Sequence, residues 1–366
     1  MSFLASIGPA MIVLGVLIII HELGHFLACR LTGVRVEKFS IGFGPEIFHW
    51  QGPQTRYAVS LFPLGGFVKP AGESASELGT QPPQPGDYLA APIWARIFIV
   101  VAGVLMNYIL AYFLFVGIFM MGRPIPGTTL GGFVEGYPAV TSGLQEGDTI
   151  VAVNGQKVAD WRDLTGAIET LPGPELKLGV DRGGAEVEIL ITPKTETIRD
   201  LFGKEVTLKR LGITPDPKAN RFEKFGFLES LRVAWETELF LTATTHKAIF
   251  YLLMGKISFK MMSGPIGIVT MAGSAAQLGL PYVLQLAASL SISLAVINLL
   301  PVPALDGGHL LFLLIEAVRR RRVSLEFQEK ATQAGFVALL VLMVFILYND
   351  LVNLEVIDRL KGFLKH

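Results

Sequence analysis

The sequence is poor in charge and nearly free of cysteine. Of its 366 residues 17% are charged and 51% are hydrophobic, and Cys29 is the single cysteine. One cysteine excludes an internal disulfide framework. A soluble domain carries roughly 25% charged residues, so this composition, with a mean hydropathy of +0.51, argues against a fully soluble protein. The 31 basic and 31 acidic residues balance, and no excess of positive charge points to a nucleic-acid partner.

The sequence contains several long apolar runs. A spanning helix needs about 20 mainly apolar residues, and runs at 7–29, 97–121 and 334–348 predict three spans. A fourth run, 280–318, is too long for one span and contains polar residues and prolines, which lipid tolerates only where the backbone faces protein or a cavity. The interrupting residues are Asn298, Pro301, Pro303, Asp306 and His309. We therefore predict an α-helical polytopic membrane protein of about four spans, one of them broken.

Basic residues in the short loops predict the orientation of the spans. Lysine and arginine accumulate on the cytoplasmic side of a membrane. Four arginines, 319–322, follow the broken span, and further basic residues lie between the first two spans. Both segments are therefore expected in the cytoplasm, which places the two chain ends and residues 122–279 on the extracytoplasmic side.

The segments between the spans divide the chain further. Glycine turns separate extended stretches within 35–70, which predicts a membrane-associated β-hairpin region. Residues 216–279 carry apolar side chains at helical spacing among charged ones, a pattern typical of an amphipathic surface helix, here followed by a connector. A helix docked on a soluble domain has the same pattern. The expected divisions of the chain are 1–121, 122–215, 216–279 and 280–366.

Residues 122–215 have the pattern of an inserted α+β domain. Asn154-Gly155 is a strong hairpin-turn signal, and strands are expected on both sides of a short helix at 161–171. The motifs Ala139, Gly143-Leu144, Gly147-Asp148 and Val153-Asn154-Gly155 resemble those of a bacterial PDZ domain. Such domains bind extended peptides or chain ends by adding them as a strand, so the resemblance implies a peptide partner. The alternative is a domain that only packs on the membrane part.

The first span carries a metal-binding pattern. His21 and His25 stand four residues apart, so a helix places both on one face, with Glu22 beside the first. This is the His-Glu-x-x-His arrangement of zinc peptidases, in which the glutamate acts on water without being a ligand. Three ionisable residues inside a span are costly unless they are paired or functional. We therefore predict a zinc site at His21 and His25.

Catalytic zinc usually has three protein ligands and one open position. Asp306 lies at the break of the fourth run, where the burial of a carboxylate is hard to explain without a partner cation. It is therefore the candidate for the third ligand. The alternative is a helix cap, because an aspartate before Gly307-Gly308 can also cap the helix that follows.

Motif blocks in a fixed order run along nearly the whole chain. They are His21-Glu22-Leu23-Gly24-His25-Phe26, Gly42-Phe43-Gly44-Pro45, Pro63-Leu64-Gly65-Gly66-Phe67-Val68, Ser263-Gly264-Pro265-Ile266-Gly267 and the run from Asn298 to His309. In this order they resemble the site-2 protease family of intramembrane zinc metalloproteases, and in particular its bacterial regulator-of-sigma-E protease branch. The resemblance implies that His21, His25 and Asp306 bind zinc and that Glu22 is the catalytic acid and base.

The same resemblance implies where the substrate lies. Asn298, Pro301 and Pro303 would help to position it, and Gly65 and Gly66 would lie against it. A protease of this kind has to open a helix in lipid, which leaves backbone groups without hydrogen-bond partners. We expect the stretch 55–68 to replace those partners as an edge strand, with the amide of Asn298 assisting. Turn geometry and helix packing are the alternatives for these residues.

Substrates and location follow from the resemblance as expectations. The implied substrates are single-span proteins already trimmed outside the membrane, such as anti-sigma factors or remnant signal peptides, in the bacterial cytoplasmic (inner) membrane. The zinc site is expected toward the cytoplasmic side, and the hairpin region and surface helix in contact with lipid. One departure stands out: the best-known member has two tandem PDZ domains, whereas residues 122–220 leave room for one.

Two functions of other classes compete with proteolysis. A PDZ-bearing membrane scaffold would use the metal only structurally, but structural zinc is usually closed by four ligands. A metal or proton transporter would also place ionisable residues in broken spans, yet the sequence shows no inverted repeat. The motifs therefore favour the intramembrane metalloprotease.

Overall fold

The computed structural model describes residues 3–73, 82–170, 173–199, 205–258 and 262–353. They form two compact units, a larger one from the described residues of 1–117, 231–246 and 258–366, and a smaller one from those of 118–230 and 247–257. The helices in the described residues are α1 (Phe3–Thr32), α2 (Ile93–Met121), α3 (Trp161–Glu169), α4 (Phe227–Leu253), α5 (Pro265–Leu278), α6 (Leu280–Asn298), α7 (Asp306–Arg319) and α8 (Leu325–Asn353).

Strands occupy much of the remaining described chain. They are β1 (Val36–Gln51), β2 (Arg56–Pro70), β3 (Arg123–Ile125), β4 (Leu130–Phe133), β5 (Thr149–Val153), β6 (Gln156–Lys157), β7 (Leu176–Arg182), β8 (Ala185–Ile191), β9 (Lys194–Arg199), β10 (Glu205–Arg210), β11 (Ile213–Pro215) and β12 (Arg221–Glu223).

Four helices are long and apolar enough to cross a membrane. They are Leu4–Thr32, Ile93–Met121, Leu280–Asn298 and Leu325–Val352, with a mean hydropathy between 1.8 and 2.3 in their most apolar windows. The prediction of a helical membrane protein with four spans is therefore confirmed. Helices α1, α2 and α8 extend beyond the apolar runs that predicted them, because the ends of a helix tolerate polar residues that an apolar window leaves out. Helix α6 covers only the first part of its run.

The long run 280–318 is broken, as its prolines predicted. Helix α6 ends and α7 begins on either side of a loop at 299–305. Pro301 and Pro303 have no backbone N–H to donate, so the loop cannot continue the helix. The first turn of α7 packs directly on this loop, since a Cβ on Gly307 would collide with two of its carbonyl oxygens. Glycine thus permits the close contact that fixes the start of α7.

The expected connector before α6 contains a helix of its own, α5. It has only 14 residues, which is too few for a span. The glycines at its two ends are typical of loops, so the sequence did not indicate a helix here. A Cβ on Gly273 would collide with Ser6 of α1, so α5 lies closely against α1. The carboxylate of Asp350 in α8 accepts three amide hydrogen bonds at the start of α5, from Gly264 (2.9 Å), Ile266 (3.0 Å) and Gly267 (3.0 Å).

Strands β1 and β2 both bend in the middle and form a sheet with four legs. We call them leg A (36–41), leg B (46–51), leg C (56–60) and leg D (66–70). Leg A pairs with leg D on one side and with leg C on the other, and leg C also pairs with leg B. Legs B and D are therefore the two outer legs of the sheet, each paired with another leg on one side only. The expectation that the whole stretch 55–68 is an edge strand is wrong for leg C, which lies inside the sheet.

The smaller unit is built around the sheet β6-β5-β7-β8. The turn between β5 and β6 has positive φ at Asn154 (49°) and Gly155 (81°), the geometry that this residue pair favours in hairpins. Asp160 is the N-cap of helix α3, and its side chain accepts hydrogen bonds from the amides of the first turn. The core contains fully buried apolar side chains, among them Leu130, Ile150, Leu164, Leu176, Leu178 and Val180.

Candidate metal and catalytic centre

Three candidate ligand atoms converge between α1 and α7. The two Nε2 atoms of His21 and His25 are 3.2 Å apart. Asp306 Oδ2 lies 3.0 Å from Nε2 of His21 and 3.6 Å from Nε2 of His25. Two ligands bound at 2.0–2.1 Å to a tetrahedral ion are about 3.3 Å apart. The spacing of this group therefore fits zinc.

The protonation of the group also calls for a cation. Nδ1 of His25 lies 2.8 Å from the backbone carbonyl of Ile99, so Nδ1 carries the proton and Nε2 offers a lone pair. Asp306 Oδ2 is buried, and the two Nε2 atoms lie next to it. Electron pairs that face each other in a buried site repel unless a cation lies between them. The donor set itself therefore fits a metal ion.

The geometry separates the two roles considered for Asp306. Helix α7 begins after Leu305 without a side-chain cap, and Asp306 Oδ2 instead faces the two histidines across the site. A cap would direct the carboxylate at the amides of its own helix. The ligand role is thus the one that the arrangement favours, and a measurement of bound zinc has to test it.

Glu22 lies beside the ligands and against the sheet. Its Oε2 accepts a hydrogen bond from the backbone N–H of Val68 at 3.1 Å, in leg D. Glu22, the three ligands and His309 line one cavity of about 200 Å³. A carboxylate beside a metal cavity, held by a backbone amide and not part of the ligand group, is placed for proton transfer.

The residues expected to position substrate fall into two groups. Asn298 ends α6 with its Nδ2 at 3.3 Å from His21 Nε2, and a Cβ on Gly66 would lie 3.4 Å from Glu22 Cγ, so both border the site. Gly65 instead adjoins the ring of Phe43. Pro301 and Pro303 belong to the loop 299–305, and their role in positioning substrate stays a prediction.

Helix α2 supplies contacts that sequence reasoning missed. The carbonyl of Ile99 meets His25, Asn107 Nδ2 lies 3.2 Å from His21 Nδ1, and a Cβ on Gly103 would collide with the ring of His25. An asparagine in a strongly apolar span is a recognisable signal for a polar role. A backbone carbonyl and one glycine among many leave no such signal.

Comparison with known proteins places the chain in a family. A family model described as peptidase family M50 matches residues 9–342. A protein of Agrobacterium fabrum named as a zinc metalloprotease is 35% identical over 360 residues, covering 94% of this chain and 95% of its own. The metalloprotease MmpA of Caulobacter vibrioides is 32% identical over 394 residues, covering 99% of both chains. The regulator of sigma-W protease RasP of Bacillus subtilis is 29% identical over 430 residues, with 96% and 99% covered.

These findings, together with four apolar helices and a largely buried His-His-Asp group, define a multi-pass membrane metallopeptidase. The chain belongs to peptidase family M50, and its predicted resemblance to the site-2 proteases is confirmed. It is a zinc metalloprotease of the site-2 type. The resemblance rested on short motif blocks, and the matched region contains all of them.

Proposed function

We propose that this protein hydrolyses peptide bonds inside the transmembrane segments of single-span proteins that have already been trimmed outside the membrane. The observation that carries the proposal is the position of the His-His-Asp group and Glu22, which lie within and between apolar helices rather than in the smaller unit. The similarity to a regulator of sigma-W protease supports anti-sigma-factor-like substrates. Remnant signal peptides have the same single-span chemistry.

In this mechanism His21, His25 and Asp306 hold the metal. The chemistry that bound zinc supplies is a lowered pKa of water and a polarised scissile carbonyl. Glu22 takes the proton of the attacking water and later gives it to the leaving amine. The side-chain amide of Asn298, at the rim of the ligand group, donates a hydrogen bond to the carbonyl oxygen on which charge develops.

Leg D is the segment that would hold an opened substrate. It is an edge of the sheet, and its Val68 amide already contacts Glu22, so a strand added there would pass close to the catalytic carboxylate. Strand addition replaces backbone hydrogen bonds that the substrate helix loses in lipid. Prolines within leg C would break the interior of the sheet and so would not test its edge.

The sheet itself supports contact with lipid. Several of its apolar side chains are exposed, namely Phe43, Ile47, Phe48, Trp50, Leu61 and Phe62. An exposed apolar patch of this kind beside spanning helices fits the membrane interface, where tryptophan is common. The proposed location is the bacterial cytoplasmic membrane, with the sheet and the zinc site toward the cytoplasm and the smaller unit on the extracytoplasmic side, as the basic loops predict.

The smaller unit is proposed to act as a single PDZ-like domain. A cavity of about 340 Å³ runs between α3 and residues 208–213, with Leu164, Ile168 and Leu211 among its apolar lining and Arg210 at its wall. An extended chain end fits such a groove between a helix and a strand, and the arginine complements a terminal carboxylate. Binding there would report that a substrate has been trimmed.

The experiment compares wild type with Glu22→Gln in detergent-purified protein. Cleavage of a single-span reporter peptide should fall at least about 100-fold, while zinc per chain stays near that of wild type, because Glu22 is not a ligand. Glu236→Gln, on an exposed carboxylate of α4, is the control and should leave cleavage unchanged. Undiminished cleavage by Glu22→Gln would refute the mechanism. A wild type that binds zinc and cleaves no single-span reporter would favour the scaffold.

A further inference from the structure

Asn107 of α2 contacts the imidazole ring of His21 at its Nδ1 atom. Asn107 is fully buried, and its amide lies at His21 Nδ1, the ring nitrogen that faces away from Asp306. Its backbone carbonyl accepts a hydrogen bond from Ser291 of α6 at 2.8 Å. The residue is therefore fixed between two helices, with its amide directed at the candidate ligand.

If His21 binds a metal, its Nδ1 proton needs a hydrogen-bond acceptor, and the amide of Asn107 is the group beside it. A histidine that binds through Nε2 carries its proton on Nδ1, and that N–H needs an acceptor. In the structure Asn107 presents Nδ2 to Nδ1, which would set two donors face to face in the metal-binding tautomer, while its Oδ1 is buried and has no hydrogen-bond partner in the described part of the chain. A half turn of the amide exchanges the two atoms and brings the acceptor to His21.

We propose that Asn107 is a positioning residue of the metal centre, whose amide oxygen accepts the Nδ1 proton of His21 and so presents the Nε2 lone pair to zinc. The contact of His25 with Ile99 is its counterpart eight residues earlier in α2. One helix thus orients both histidines of another. The inference rests on the proposed role of His21 as a ligand, and it adds the partner that fixes the tautomer of that ligand.

The test measures the zinc dissociation constant of the full chain in detergent, by competition with a chelator. Asn107→Leu keeps the shape but removes the acceptor, and we expect zinc binding about 10–100-fold weaker. Asn107→Asp keeps an acceptor and should bind within a few-fold of wild type or more tightly. A residue that only fills space would give the opposite order, since leucine suits a buried apolar site and an aspartate does not.

Two further comparisons separate the possible failures. Gly117→Ala changes the same helix, α2, at a position where an added Cβ meets no atom within 4 Å, and zinc binding should not change. Asn107→Leu binding zinc as tightly as wild type, or Asn107→Asp binding as weakly as Asn107→Leu, would overturn the inference and leave the metal site intact. A wild type without zinc would instead refute the proposed function itself.

Discussion

Arg96 and Glu316 form a buried ion pair that joins α2 to α7. Their side chains are 5% and 12% exposed, and the guanidinium makes two hydrogen bonds, Nη2 to Oε1 at 2.6 Å and Nη1 to Oε2 at 3.0 Å. Arg96 lies three residues before Ile99, which contacts His25, and Glu316 shares a helix with Asp306. The pair therefore ties together the two helices that position opposite sides of the metal centre.

Breaking this pair should destabilise the protein strongly. Glu316→Ala leaves the Arg96 charge buried, and the loss of one partner in a buried pair costs about 3–5 kcal/mol. Thermal unfolding of the detergent-purified protein would measure the effect. Glu236→Ala is the matched control, because its pair with Arg232 is exposed on both sides and such pairs contribute about 0–1 kcal/mol. Equal melting temperatures for the two variants would contradict the assignment of Arg96 and Glu316 as a structural tie.

Gly103 should be intolerant of any side chain. A Cβ there would collide with the imidazole of His25, so Gly103→Ala should displace that ring and lower bound zinc clearly below the wild-type content. Gly117→Ala, in the same helix, is the control, because a Cβ at Gly117 meets no atom within 4 Å. Zinc per chain by elemental analysis checks both. Normal zinc in Gly103→Ala would mean that the histidine tolerates displacement and that its position is less constrained than the contact implies.

Replacing the third ligand should remove the metal. Asp306→Asn keeps the size of the side chain but substitutes a neutral amide, so we expect a large loss of zinc from a wild-type content of about one per chain. The measurement needs no substrate. Full occupancy in the variant would show that another group completes the site and would return Asp306 to the role of a helix-start residue.

The smaller unit should respond to acid through Asp148. Two hydrogen bonds from Arg182, at 2.7 and 2.8 Å, and one from the Gln145 amide hold the pKa of the buried Asp148 carboxyl below its usual value. A lowered pKa in the folded state stabilises the fold above the unfolded pKa of about 3.9, and this stability is lost as the pH falls through the folded pKa.

The variant that tests this relationship is Arg182→Ala. It should cost on the order of 2 kcal/mol at neutral pH, and the difference from wild type should shrink as the pH falls through the lowered pKa of Asp148. Hydrogen exchange of the β5 and β7 amides in the full chain, corrected for intrinsic rates, gives the measurement. Lys177→Ala, which removes an exposed pair with Glu188, should show little effect at any pH. A penalty for Arg182→Ala that does not depend on pH would assign the role of Arg182 to packing.

Features that depend on a local sequence pattern could be predicted from the sequence. The spacing of His21 and His25 predicted a shared helix face, and the prolines near Asp306 predicted the break that carries it. The partners of the histidines were out of reach, because Ile99 lies 74 residues from His25 and a backbone carbonyl has no identity in a sequence. The place of leg C inside the sheet was missed for a related reason: glycine turns show where a chain bends, but they do not reveal which legs become neighbours.

The three amide bonds that Asp350 accepts from the start of α5 have a consequence for the length of the chain. Asp350 belongs to the last turn of α8 in the described residues, yet its carboxylate accepts a hydrogen bond from Gly264, 86 residues earlier, at the start of α5. A truncation before Asp350 would therefore leave three amide donors without an acceptor in an apolar setting. It would also weaken the packing of α5 against α1. Because α1 carries His21 and His25, an intact end of α8 is a condition for a well-ordered metal centre.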